Sequence, residues 1–172
     1  MNTMTYLTEG TLSHGLRVAV RPLEPGDRMD LVNGFHHLSD ESRYRRFMSP
    51  KPRLNNAEIR QLFETEELAL VLVWQRSSCK DIVLGIAHAY RLSGDPATAE
   101  YCIAVTDEIH GKGAGRMLTN ALAEEAKRRG IQRFTATMLG TNDAPARLLA
   151  GVGEVLADGC TMGTREMTVR LT

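Results

Sequence analysis

From Val105 to Arg116 the chain runs Val105-Thr106-Asp107-Glu108-Ile109-His110-Gly111-Lys112-Gly113-Ala114-Gly115-Arg116. This reads as the end of a strand, a glycine-rich turn and the first turn of a helix. Gly111, Gly113 and Gly115 stand at every second position and leave almost no side chain there, so a bulky anion can approach the backbone. The start of a helix offers unpaired N–H groups and the positive end of its dipole to such an anion. Lys112 and Arg116 add full positive charge. The segment suits a phosphate or pyrophosphate held through the main chain. Two familiar phosphate loops do not fit. Nothing here has the glycine spacing and Gly-Lys-Ser/Thr ending of a Walker loop, and a dinucleotide-binding loop would need glycine where Arg116 stands.

What remains is a Gln-or-Arg, two free positions, Gly, one free position, then Gly-or-Ala. His110 takes the first place, and Gly113 and Gly115 the glycine places. Preceded by the strand Glu100-Tyr101-Cys102-Ile103-Ala104-Val105 and followed by an amphipathic helix, this resembles the acetyl-CoA signature of the GNAT acyltransferase superfamily. His110 departs from the usual Gln or Arg. A second stretch, Leu38-Ser39-Asp40-Glu41-Ser42-Arg43-Tyr44-Arg45-Arg46-Phe47, is similar to a helix of bacterial GNAT domains related to the protein-lysine acetyltransferases.

The 172 residues suit one domain, 42% hydrophobic and 24% charged, as in ordinary globular proteins. A formal net charge of zero argues against nucleic acid or an anionic membrane as the main partner. The longest apolar run, Leu68 to Trp74, is too short to span a bilayer. No basic-then-apolar leader opens the chain, so a cytoplasmic location is expected. Cys79, Cys102 and Cys160 have no metal-like spacing and suit a reducing compartment, and no metal is indicated.

Residues 1–15 are polar and glycine-punctuated and are expected to form a loosely ordered lead-in to a single domain over 16–172, with no second domain for a regulatory ligand. Leu16 to Arg21 alternates as a strand. Pro25-Gly26-Asp27 is a turn ending in a helix cap, and Ser39 caps a second helix carrying Tyr44 and Phe47. Ile59, Leu62 and Phe63 suggest a third. Ala69–Trp74, Ile82–Arg91 and Ala99–Val105 read as strands. Ala114, Met117, Leu118, Ala121 and Leu122 give the next helix one apolar face, and Gly130 suits its stop. Ile131–Met138, a helix over Asn142–Ala150 capped by Asn142 or Thr141, Gly153–Ala157 and Met167–Leu171 follow. This order predicts an α/β fold with a mixed, mostly antiparallel sheet and helices on both faces. It is also the element order of the GNAT fold. The resemblance implies six to seven strands, the fourth bulged and splayed.

The resemblance implies transfer of an acetyl group from acetyl-CoA to an amine by direct attack in a ternary complex. The amine must shed a proton whose pKa is about 10.4 for a lysine, and the oxyanion must meet a fixed donor. By resemblance, Ile103, Ala104 and Val105 pair with pantetheine and the Val105 N–H meets the thioester carbonyl. Gly111, Lys112, Gly113, Ala114, Gly115 and Arg116 hold the pyrophosphate, and His110, by chemistry alone the second candidate base, reads as a CoA contact in the same loop or as a solvent-exposed loop histidine. Asn142 is a pantetheine contact or simply a helix cap. Glu100, five residues before Val105 on a strand otherwise apolar or small, is the first choice of base, and proteins of this type carry a glutamate at the matching position. The alternative is a strand-end Glu facing solvent. His88 could orient Glu100 or line an acceptor pocket, or be a satisfied sheet histidine. Arg43, Arg45 and Arg46 read as contacts for an acidic substrate or CoA phosphates, or as a solvated helix face. Two family acid–base schemes are missing. Leu149 stands seven residues after Asn142, where many members have tyrosine, and Thr137 five residues before it, where ribosomal N-terminal acetyltransferases have glutamate.

The acceptor expected is a primary amine, with protein lysine favoured and a small-molecule amine as the alternative. A non-catalytic acyl-CoA-binding sensor or interaction module is the rival from another class. A homodimer through the strands after Gly153 is open.

Overall fold

The computed structural model describes residues 6–64, 68–74 and 81–172, so Cys79 lies outside the described residues. Eight strands form one sheet: β1 (Thr8–Thr11), β2 (Arg17–Pro22), β3 (Leu68–Trp74), β4 (Ile82–Leu92), β5 (Asp95–Val105), β6 (Arg133–Leu139), β7 (Gly153–Thr161) and β8 (Thr164–Leu171). Among the described residues five α-helices accompany them: α1 (Arg28–His37), α2 (Asp40–Phe47), α3 (Asn56–Glu64), α4 (Ala114–Arg128) and α5 (Asp143–Ala150). The spatial order is β1-β2-β3-β4-β5-β6-β8-β7. The pairing is antiparallel throughout except between β5 and β6. Among the described residues, no helix is long and apolar enough to cross a membrane.

The α/β class and mixed sheet are as expected, with one strand more than the six to seven predicted. The extra strand is β1, which falls inside the supposed lead-in and pairs with β2 from Thr8–Val20 to Thr11–Arg17. Its four residues are mostly exposed, so no apolar alternation announces it, and backbone pairing alone makes the strand. The closing hairpin is also longer than predicted. β7 continues to Thr161 and returns through Met162 (φ 50°) and Gly163 (φ 81°), the two left-handed positions of a tight hairpin turn.

Period-two alternation places the core. Val18, Val20, Leu68, Leu70 and Leu72 face α4, whose Ala114, Leu118, Leu122 and Ala126 are buried at four-residue spacing. Ala19, Val71 and Val73 face the other side with Leu31 of α1. The sheet is therefore covered on both faces. Asp27 does not cap α1 with its side chain as expected. Its carboxylate instead takes two hydrogen bonds from the buried Arg21 guanidinium, at 2.7 and 2.8 Å. Ser39 does cap α2, accepting the Ser42 N–H at 3.1 Å.

What positions the site is the separation of β5 from β6. Their parallel pairing covers only Thr98–Arg133, Ala99–Phe134 and Glu100–Thr135. Beyond Glu100, β5 stays with β4 as far as Gly85–Val105, while β6 follows β8 to Thr164. A gap opens between them. The splay is the one expected, and β5 carries an irregularity before it, where Arg91 and Leu92 of β4 face Ala99 and Asp95 with three residues of β5 between them. Pairing of β5 with β4 is regular from Ala99 to Val105, and an extra residue, Leu84, sits on β4 where it faces β3.

Candidate functional site

Strand geometry decides what the gap is lined with. Gln132 N–H donates to Ala97 O across to the β6 side, and Thr106 N–H donates to Leu84 O on the β4 side. Backbone groups alternate sides along a strand. The N–H and C=O of Ile103 and Val105 therefore face the gap, and those of Ala104 face β4. Ile103 turns its N–H and C=O, and Val105 its N–H, to the gap, where β5 has no strand partner beyond Glu100. Ala104 does not, and contributes its side chain to the opposite cleft.

Beyond Val105 the chain makes a 3-10 turn (Asp107–Ile109) and enters the glycine loop. Gly111 (φ 71°) and Gly113 (φ 97°) are both left-handed, and a Cβ on either would meet nothing within 4 Å. Gly115 is different. It lies within α4, and a Cβ there would come 3.0 Å from Leu148, so it serves packing against α5. The N-terminus of α4 has no side-chain cap and no acid in its first turn. No backbone acceptor is found for the N–H groups of Gly113, Ala114, Gly115 or Arg116 among the described residues. Lys112 is half-buried and Arg116 exposed beside them. Four unpaired amides, open space and flanking cations fit an anionic pyrophosphate.

His110 Nε2 donates to the Val105 carbonyl at 2.8 Å. That carbonyl is thereby occupied and its own N–H is left toward the gap. His110 thus braces the end of β5 rather than standing as a free loop residue. Asp107, which the sequence did not single out, ties the two motifs together. Its carboxylate accepts the Ser39 N–H at 2.9 Å and the Ser42 hydroxyl at 2.6 Å. Burial works against ionisation of Asp107, but these bonds outweigh it and hold its carboxyl below the ordinary range. Asn142 lies at the start of α5 and is 9% exposed, yet its side chain makes no capping bond.

On the other face of β4 and β5 lies a cleft of about 520 Å³, walled by α1, α2 and α3. Its floor carries the facing pairs Ile86–Ala104, His88–Cys102 and Tyr90–Glu100. Glu100 is half-buried there, with no hydrogen-bond or ion-pair partner among the described residues. The structure therefore places this carboxylate in the cleft, at the point where β5 leaves β6. The unpaired Thr106 hydroxyl is buried at the other end of the same floor. His88 is 4% exposed and not a fully satisfied sheet histidine. Its Nε2 accepts from Arg46 at 2.9 Å, so its proton lies on Nδ1, which is buried without a partner. Burial, then the Arg46 charge, push its pKa well below the usual value and leave the ring neutral. The three arginines of α2 divide. Arg43 pairs with Asp40 and lies over the Phe35 ring, Arg45 pairs with Glu41 on the surface, and Arg46 turns into the cleft. Leu149 is fully buried in the core, in keeping with the absence of a tyrosine acid there.

A sheet that splays beside a capless glycine loop, with an acid-bearing cleft behind it, is the architecture of a transferase that brings an acyl thioester to an amine. Residues 33–153 match the model of the acetyltransferase (GNAT) family. The chain belongs to this family of N-acetyltransferases, whose cosubstrate is acetyl-CoA. Acetyltransferase Pat of Mycolicibacterium smegmatis is 33% identical over 137 residues, 79% of this chain and 40% of that protein, so the chain spans well under half the length of this relative. The GNAT domain of S. lividans PAT superposes with a TM-score of 0.80 at 25% identity, covering 95% of this chain and 96% of that one. The fold is also shared with yncA of Salmonella typhimurium, solved with its cofactor acetyl-CoA, at a TM-score of 0.68 and 21% identity over 90% of this chain and 94% of that one.

Proposed function

We propose that residues 8–172 form a single domain that transfers the acetyl group of acetyl-CoA to the side-chain amine of a protein lysine. The observation that carries this is the parting of β5 from β6 immediately after Glu100. It leaves the Ile103 main chain and the Val105 N–H without a strand partner on one side while Glu100 stands in a cleft on the other. Acetyl-CoA supplies an acyl group already activated as a thioester. The residues of this chain do the rest. Ile103 and Val105 pair with the pantetheine arm, the amides of Gly113 to Arg116 seat the pyrophosphate with Lys112 and Arg116 beside it, and His110 keeps the Val105 peptide oriented. The Val105 N–H meets the oxyanion. Glu100 takes the proton that the amine must lose, directly or through a water. Burial of Asn142 at the head of α5 supports a packing role for it as well as a pantetheine contact.

The choice of protein lysine is supported by the likeness to the Pat and PAT domains and by the Leu38–Phe47 helix, which forms one wall of the cleft. The proposed location is the cytoplasm. The free edge at β7, where nearly every residue is exposed, is the candidate edge for pairing with a second copy. Release of CoA thiol across a panel of protein lysines and small amines tests the function. Acceptor-dependent release that falls at least a hundredfold in Glu100→Gln, with acetyl-CoA affinity unchanged, is the expected result. Acetyl-CoA binding without release on any acceptor would point to a sensor or interaction module instead.

A further inference from the structure

Arg46 leaves α2 toward the sheet and sits with Nη2 2.9 Å from His88 Nε2 and its guanidinium 4.9 Å from the centre of the Phe47 ring. Its neighbours are all committed. Arg43 and Arg45 are paired with Asp40 and Glu41. Lys51, 5.0 Å from the centre of the same Phe47 ring, is paired with Glu58. The second oxygen of Glu58 accepts the Asn55 N–H at 2.8 Å, so Glu58 feels the Arg46 charge without bonding to it. Arg91, the other arginine on the cleft lining, is exposed at its mouth and bonds to the carbonyls of Pro96 and Arg129. Among the described residues no carboxylate pairs with Arg46. His88 gives it a lone pair but no charge.

A cation is thus held in a cleft whose lining includes Leu31, Phe35, Leu62 and Ile86 together with the carboxylates Asp30, Glu58 and Glu100, none of them bonded to it. Arg46 is half-buried, and a partly desolvated charge with no carboxylate bonded to it is unfavourable. A guanidinium with most of its fork of N–H donors unused is matched by a carboxylate, which it binds bidentately. The seat is also well placed. His88 faces Cys102, midway between Glu100 and Ala104 on the cleft floor, about 7 Å along the strand from either.

We propose that Arg46, seated on His88 midway along the cleft floor, is a carboxylate-binding subsite filled by one of the two substrates. The carboxylate is either the free end of a dicarboxylic acyl group carried on CoA or an acidic group next to the acceptor amine. Its use in transfer rests on the function proposed above, but the subsite does not.

Calorimetry on the intact chain distinguishes the sources. In the first arm, succinyl-CoA is compared with butyryl-CoA. In the second, with CoA bound, a lysine peptide flanked by glutamate is compared with the same peptide flanked by glutamine. The expected result is a tenfold or greater preference for the charged member in one arm, which names the source and is lost in Arg46→Met. Arg46→Lys, which keeps the charge without the fork, retains part of the preference and guards against a variant that merely folds poorly. Ratios within twofold of unity in both arms, or a preference that survives in Arg46→Met, would overturn the subsite. Both arms read binding, so they decide it even if no acceptor turns over. Acceptor-dependent thiol release by the unaltered chain is the separate test of the transferase.

Discussion

Gly113 and Gly130 offer a matched pair for testing the anion seat. Both are left-handed, at φ 97° and 80°, and a Cβ on either would meet no heavy atom within 4 Å. Gly113 opens α4. Gly130 closes it, with Gly130 N–H bonded to Lys127 O and Ile131 N–H to Ala126 O, the double bond pattern of a glycine C-terminal motif. Alanine at either position bears the same kind of conformational penalty, about 1–2 kcal/mol. For a chain of this size that lowers the melting temperature by about 2–8 °C. Only at Gly113 does the added methyl enter the space beside the unpaired amides. Losing one charge-assisted hydrogen bond there weakens acetyl-CoA binding by about tenfold to a hundredfold. Thermal melts and calorimetry on both variants check this. Gly130→Ala should lose stability and keep its affinity, and Gly113→Ala should lose both. Equal affinity in the two variants, with equal stability loss, would refute the assignment of the pyrophosphate to this turn.

Asp27→Ala leaves the Arg21 guanidinium, 1% exposed, without its bidentate partner, and urea unfolding should show a loss of about 3–5 kcal/mol. Because burial holds the His88 pKa well below its ordinary value, the unfolded chain binds a proton that the folded chain refuses, so stability falls as pH drops below about 6.5. In His88→Gln that part of the slope should vanish from unfolding curves taken between pH 4 and 7. Asp107→Ala removes the carboxylate holding Ser39 and Ser42, and hydrogen exchange of the α2 amides should speed up while exchange in α4 stays slow.

Much of this architecture is written locally in the chain. α4 is legible because Ala114, Leu118 and Leu122 repeat at helical spacing on a face that is in fact buried. The Ser39 cap is legible because its partner Ser42 is three residues away. The place of Glu100 on the cleft floor is legible because alternation along the strand puts it on one face with Cys102 and Ala104. What the sequence hides depends on distant partners. β1 is four mostly exposed residues made a strand by β2. The far half of β7 is exposed and held by β8. Asp27 looked like a cap because it precedes a helix, but the buried Arg21 claims it. Asp107 joins residues 65 and 68 positions apart in the chain, and Arg46 reaches His88 across 42, so neither role shows in local spacing. Arg46 can be separated from Arg43 and Arg45 only once α2 is docked on the sheet. Ala104 shows the limit of carrying over a motif as a block, since alternation alone assigns the free main chain to its neighbours Ile103 and Val105.

The most direct test of the central claim is a crystal structure of the chain with acetyl-CoA. Pantetheine should lie in the gap between β5 and β6, with the pyrophosphate on the amides of Gly113 to Arg116. The thioester carbonyl oxygen should stand about 3 Å from the Val105 nitrogen, with its acyl carbon open to the Glu100 side of the cleft. Acetyl-CoA bound with the gap empty, or with its thioester turned away from that cleft, would contradict it.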